Sequence, residues 1–314
     1  MQDKLQAGPP DPNAELLWLL GQPQLEDYLD FVKRKVVGGD QLAPNCLADE
    51  WRAANDLYHD LERTEAGIAD TAKCLPLDPA LNGLAEALRA DPYYRAAFDT
   101  LPTTVAMVEL DKLIVSQTHI ANLFSEERGR ELGRSPTPDA LFRFCLPLER
   151  ENPPVRIQRV SSDRYLFSSG STDLRAQDPV LLRPEQCAGI PSHGPIAGLV
   201  GLIVGFGPNF MTAIRSDNRF LLHNGYHRAY TLRALGLTHA PCIIETVTRV
   251  SELRVTASES VTSDPAFYFR AARPPMLKDF FNPALTRRLS VLPMETTVEV
   301  EMKMRSWTTT QVGR

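Results

Sequence analysis

The stretch from Asn209 to Glu245, NFMTAIRSDNRFLLHNGYHRAYTLRALGLTHAPCIIE, constrains the fold more than any other part of the chain. Its hydrophobic period changes twice, so it must hold a strand pair, a helix and a further strand in close succession. Phe210 to Ile214 is apolar and extended in pattern, and Ser216, Asp217 and Asn218 are residues that favour turns by bonding their own backbone. Arg219 to His223 then reads as the return strand of a hairpin. From Asn224-Gly225 onward the period is helical: Tyr226, Tyr230 and Ala234, with Ala229, Leu232 and Leu235, recur at three- and four-residue spacing. Gly236 ends that helix, because glycine takes a left-handed cap at little cost. Ala240 to Glu245, reached through Pro241, is a short buried strand.

The chemistry of this unit lies where its helix begins. The first turn of a helix has backbone N–H groups without intrahelical partners, so Gly225 to Arg228 offers donors and a partial positive charge. Gly225 allows a ligand close to the backbone, and His227 and Arg228 add side-chain donors suited to phosphate. This is an anion site in outline.

The run LLHNGYHRAYTLRALGLTHAPCII is similar to the signature of the ParB and sulfiredoxin superfamily. In that family a strand ends in a G-x-H-R or G-x-R-R turn, an Ala- and Leu-rich helix follows, and a Gly and a Val-Pro or Ala-Pro lead to the next strand. Val108-Glu109-Leu110-Asp111-Lys112-Leu113, followed by Gln117, resembles the family's opening strand and its LDKL box. Leu199 to Gly207, before Asn209, resembles the family's helix that ends in Gly ahead of a strand. Together these pieces cover about a third of the chain, in the family's order.

The resemblance implies an α+β fold: a ParB/sulfiredoxin-like mixed-sheet core over residues 101–260. A helical N-terminal region, 1–100, would pack on it, with a β-containing insertion at about 122–194 and a C-terminal extension, 261–314, ending in a strand. It also implies a bound nucleotide or phosphate, with activities in the family that include CTP hydrolysis, nuclease action, sulfinic acid reduction and phosphorylation of free serine. Tyr226 stands where sulfiredoxin-like members carry Cys, which removes the thiol chemistry. The serine kinases read D-G-H-H-R at the turn and carry a catalytic Glu after the LDKL box, whereas this chain has Asn224 and Gln117 there. An amide cannot accept a hydroxyl proton, so kinase activity loses its base.

The resemblance thus assigns Asn224, Gly225, Tyr226, Gln117 and His223 to ligand binding and His227 and Arg228 to chemistry. The implied cofactor is a nucleoside triphosphate with Mg2+. His223 and His227 are four residues apart, as in a helical metal pair, but a strand-to-helix turn intervenes, so no metal site is expected from them.

The 314 residues carry a formal charge of −5, which argues against a protein that coats nucleic acid through many Lys and Arg contacts. The polar, Pro-rich MQDKLQAGPPDPN reads as a loose tail, and a cytoplasmic protein is expected. The run Pro195 to Met211 is broken by Gly198, Gly201, Gly205, Gly207 and Pro208, too often for a span of about 20 apolar residues; it reads as a buried helix followed by a strand. The five cysteines form no C-x-x-C pair and read as reduced, mostly buried thiols.

From Ala14 to about Thr100 the pattern is helical, with amphipathic runs at Leu25 to Val36 and Leu47 to Leu61. Asp78-Pro79 and Asp91-Pro92 each pair a capping carboxylate with Pro at the first helical position. Val105 to Val115 is the expected first core strand, in which Glu109 and Asp111 are either acids or metal ligands or the solvated face of a strand. Val155 to Val160 and Arg164 to Phe167 read as a hairpin. Ser168 to Thr172 is either a phosphate-cradling loop or a connector. Val247 to Val261 looks extended or looped, without the helix-turn-helix of a partition protein. Ala271 to Arg288 is basic and aromatic, either a contact for an acidic ligand or a half-buried connector. Thr296 to Trp307 alternates apolar and charged residues as an edge strand does.

Three functions are open on these grounds: an enzyme acting on a phosphate bond, a non-catalytic nucleotide-sensing or partner-binding module, and a ParB-like nuclease. The partner is a nucleotide or phosphorylated small molecule, with nucleic acid disfavoured and no membrane.

Overall fold

The structure is a computed structural model that describes residues 15–22, 24–149, 152–171 and 173–309; the expected loose tail lies outside them. The chain divides into two compact units, residues 1–149 with 208–293, and residues 150–207 with 294–314.

In the first unit, β1 (Glu15–Leu19) leads into α1 (Leu25–Lys35) and α2 (Pro44–Thr64). After β2 (Cys74–Leu75) come α3 (Asn82–Ala90) and α4 (Pro92–Ala97). β3 (Thr103–Glu109), β4 (Ile114–Val115) and β5 (His119–Ala121) precede α5 (Asn122–Leu132) and α6 (Pro138–Cys145). The second unit contributes β6 (Arg156–Arg159), β7 (Arg164–Ser169), β8 (Leu174–Ala176), β9 (Val180–Leu182), β10 (Leu199–Gly201) and β11 (Val204–Phe206). The chain returns to the first unit with β12 (Thr212–Ser216), β13 (Arg219–Asn224), α7 (Tyr226–Ala234) and β14 (His239–Val247). Short helices α8 (Leu253–Thr256), α9 (Glu259–Ser263) and α10 (Pro265–Phe269) follow, then β15 (Thr286–Ser290), and β16 (Thr296–Glu301) completes the second unit.

The fold is α+β. A six-stranded mixed sheet, order β2-β3-β14-β12-β13-β4, forms the core of the first unit, and a three-stranded sheet, order β15-β1-β5, lies within the same unit. The hairpin, helix and strand expected between residues 210 and 245 are all present. β12 and β13 are antiparallel around Asp217, which adopts φ 53°, and β14 returns parallel to β12. Ile214, Leu221 and Ile243 are fully buried there, each contributing roughly 1.5–3 kcal/mol. Pro241 is tolerated in this central strand because β12 begins opposite Ile243, so at Pro241 only β3 lies alongside.

The Asp-Pro helix starts also form. Asp91 Oδ1 accepts from Tyr93 N at 2.9 Å and Tyr94 N at 3.0 Å at the head of α4. Asp78 caps a 3₁₀ turn that feeds α3, whose Leu88 is buried with Leu81.

The structure corrects four expectations. Glu15–Leu19, inside the stretch expected to be helical, is a strand, because antiparallel partners on both sides, β15 and β5, claim its backbone. Leu199 to Gly207 is no buried helix: it forms β10 and β11, paired with β9 and β8, since glycines at 201, 205 and 207 deprive a helix of side chains to bury. Within Val247 to Val261, expected to be extended or looped, the short helices α8 and α9 form; Glu252 accepts from the amides of Thr248 and Arg249 at 2.7 and 3.2 Å, and local capping outweighs the β-branched composition. Val105 to Val115 is interrupted by a 3₁₀ turn at Leu110–Lys112.

Helices α5 and α6 belong to the first unit, so the segment that separates from it begins at 150, within the insertion expected at about 122–194. α5 is held by α7: Thr231 Oγ1 donates to Ser125 O at 3.0 Å, and a Cβ on Gly129 would meet Thr231 at 3.4 Å. The predicted hairpin of β6 and β7 forms in the second unit, and β16 pairs with β7 at the sheet edge with its glutamates exposed. No helix among the described residues is long and apolar enough to cross a membrane.

Candidate functional site

The turn between β13 and α7 gathers most of the residues singled out in the sequence. A register shift between Thr212 and Ala213 pairs Thr212 with Asn224 and Ala213 with Leu222, so His223 is the extra residue of a bulge. Bulges re-aim the side chains beside them. Asn224 Oδ1 accepts from Gly225 N at 2.7 Å, which closes the turn. Gly225 has φ 93°, and a Cβ there would lie 3.0–3.1 Å from Met211, so both the conformation and the close approach to β12 require glycine.

α7 then starts without a side-chain cap, since its N-cap is Gly225. The amides of its first turn point away from the helix and carry the positive end of its dipole. Opposite Asn224, the buried Thr212 Oγ1 makes no hydrogen bond among the described residues.

The side chains at this turn divide into two groups. Tyr226 is 6% exposed and points inward. Its hydroxyl donates to Leu222 O and meets Ser116 Oγ at 2.9 Å, and burial pushes the phenol pKa upward. This ties the end of β4 to α7 and brings Gln117 close; Gln117 Nε2 itself donates to His119 O at 2.6 Å. Arg228 is half-buried and braces the surroundings of β12. Nη1 donates to Cys145 O, at the C-terminal end of α6, at 3.2 Å, and Nη2 donates to Asn209 Oδ1, a residue at φ 53°.

His227 meets the ring of Phe124 edge-on at 5.5 Å. Burial, with the nearby His119 and Arg228, lowers its pKa from 6.5 to about 4, so the ring is neutral at pH 7. His119 was not singled out in the sequence. It stands opposite Trp18 in the β1–β5 register and stacks on it at 5.5 Å, and burial lowers its pKa too. No spacing signal could have found it, because its neighbours come from strands about a hundred residues apart in sequence.

The other sequence candidates serve the fold. Glu109 pairs with Lys112 at 3.1 Å and accepts from Lys73 N, and Asp111 pairs with Arg233 at 2.8 Å. Ser168 and Ser169, expected in a polar loop, end β7 with hydroxyls bonded to Thr297 and Pro154 O; Thr172 lies outside the described residues. In the basic segment, Arg273 and Lys278 bind Glu65, Arg287 binds Glu50 and Arg288 binds Glu15, so it is a half-buried connector. Cys145, Cys187 and Cys242 are buried as expected, whereas Cys46 and Cys74 are exposed. No cluster of three or more His, Cys, Asp and Glu residues that could hold a metal occurs among the described residues.

Comparison with protein-family models, with curated proteins and with solved structures finds nothing that matches this chain.

Proposed function

We propose that the chain is a phosphate-binding module of ParB/sulfiredoxin-like fold that takes a nucleotide, its phosphate resting on the first turn of α7. The observation that carries this reading is the start of α7: a glycine N-cap in the left-handed conformation, no side-chain cap, and Arg228 in the helix's first turn. Anions are stabilised at such a position by backbone donors and by the dipole together. Thr212 Oγ1, opposite Asn224, adds a hydroxyl that a bound ligand or its water would satisfy.

Binding is favoured over turnover because the carboxylates of the LDKL region are committed to Lys112 and Arg233. The donor set does not suit a protein-held magnesium ion, which requires carboxylate oxygens; an ion would arrive on the nucleotide's own phosphates. Hydrolysis or transfer at the phosphate is the second reading. It is favoured by the imidazole of His227 in the first turn of α7, which is neutral at pH 7 and can orient a phosphate or an attacking water through a hydrogen bond.

The test is thermal unfolding with ATP, ADP, GTP, CTP and a short DNA, with and without magnesium, on the wild type and Arg228→Ala. A nucleotide at a hundredfold excess over Kd stabilises by about 2.7 kcal/mol, or roughly 5–10 °C. That shift should appear in the wild type and vanish in Arg228→Ala. If no nucleotide moves the wild-type transition, the reading fails whatever the variant does. Product formation at the same concentrations would establish the second reading.

A further inference from the structure

A cavity lies at the other end of β13 from the Asn224 turn. β13 is six residues long, so its two ends are roughly 20 Å apart, and the cavity is distinct from the turn at Asn224. It opens where the parallel strands β12 and β14 finish, at Ser216 and Val247. In open α/β sheets ligands bind outside the carboxyl ends of the strands, and this cavity has the same placement on the parallel pair β12 and β14. The cavity volume is about 320 Å³, at the lower end of the range for small-molecule sites.

Its floor is apolar. Val247 and Leu253 are each 3% exposed and belong to the core cluster built around Ile214 and Leu221, and Phe269 adds an aromatic wall. Its rim is charged by Asp217, Arg249 and Arg270, which sum to one net positive charge. Among the described residues neither guanidinium lies within ion-pair distance of a carboxylate. The carboxylate nearest to Arg249 in the chain, Glu252, is bonded to the backbone amides of Thr248 and Arg249, and these bonds, with the Arg249 charge nearby, hold its carboxyl below the usual range. Two exposed guanidiniums over an apolar floor, Arg249 facing the nearby charge of Glu252, are complementary to an anionic head on an apolar body.

We propose that this cavity binds a small amphipathic anion, a carboxylate or phosphate monoester carried on a short hydrocarbon, with Arg249 and Arg270 holding the head and Val247, Leu253 and Phe269 covering the chain. The site is separate from the nucleotide reading and stands without it.

Titration calorimetry of the full chain with octanoate, octyl phosphate and octanol tests the assignment, on the wild type and on the double variant Arg249→Ala/Arg270→Ala. Saturable binding of octanoate or octyl phosphate is expected, the tighter of the two identifying the head group, with octanol at least tenfold weaker. The double variant should lose at least tenfold in affinity for the anion while unfolding near the wild-type temperature, because both guanidiniums are exposed. Three results overturn the proposal: octanol binding as tightly as the anions, the double variant binding with wild-type affinity, or no saturable binding of either anion. The comparison of octanol with octanoate uses the wild type alone, so the test does not depend on the variant folding.

Discussion

Replacing His227 with Gln should make the protein less sensitive to acid. The folded-state pKa of His227 is lowered from 6.5 to about 4, chiefly by burial, with His119 and Arg228 disfavouring a second positive charge. Above pH 6.5 both folded and unfolded states carry a neutral ring, and the group adds no pH dependence. As pH falls below 6.5 the unfolded chain takes up a proton that the folded one refuses, so stability is lost progressively until the folded ring also protonates near pH 4. The difference of about 2.5 pKa units corresponds to about 3 kcal/mol. His119, lowered by burial in the same direction, adds to the loss as pH falls below 6.5. The assay is urea unfolding at half-unit steps from pH 8 to pH 4 for the wild type, His227→Gln and His119→Gln. The wild-type curve should fall more steeply than that of His227→Gln, and the gap should open only below about pH 6.5. Parallel curves, or an imidazole that titrates above pH 6 by NMR, would refute the argument that the ring is buried and neutral.

Three further substitutions probe what positions the turn. Gly225→Ala places a Cβ 3.0–3.1 Å from Met211 at a φ of 93°, and should destabilise by about 1–2 kcal/mol or more, read by chemical denaturation; a neutral result would show that the bulge relaxes freely. Asp279 and Arg273 are each 2% exposed and bonded to each other, and Asp279 also accepts from Met276 N at 2.8 Å and Tyr58 OH at 3.3 Å. Asp279→Asn leaves a buried guanidinium poorly compensated and should cost about 3–5 kcal/mol, against a smaller loss for Glu65→Gln, which is partly exposed. Equal losses in the two variants would mean that the buried pair is not the dominant contact. The prediction bears on the site because the segment Leu277–Phe281 carries Phe281, which stacks on Tyr230 of α7 at 4.7 Å.

The legible parts of this fold are those whose causes lie close together in the chain. Asp217 turns the β12–β13 hairpin, Gly225 and Gly236 bound α7 with φ of 93° and 87°, and Asp91 caps α4; each is a local steric or hydrogen-bonding effect. The same holds for the alternation of β16, which marks one wet face whatever it pairs with. The location of the uncapped helix start was readable for this reason. Apolar runs without local punctuation were ambiguous. Glu15–Leu19 and Leu199–Gly201 suit a helix or a strand equally on content, and the decision fell to the distant partners that satisfy their backbone groups.

The sequence by itself therefore determined the order of hairpin, glycine turn, helix and strand between residues 210 and 245, and the residue types at the head of α7. Only the tertiary structure decided what those side chains do there. Tyr226 turned inward to Ser116, Arg228 spanned to Cys145 and Asn209, and His227 came to lie near a histidine held against Trp18. Those partners are separated from the turn by as many as 110 residues. Burial, charge proximity and the pairing of remote strands are properties of the packed molecule, and no local pattern encodes them.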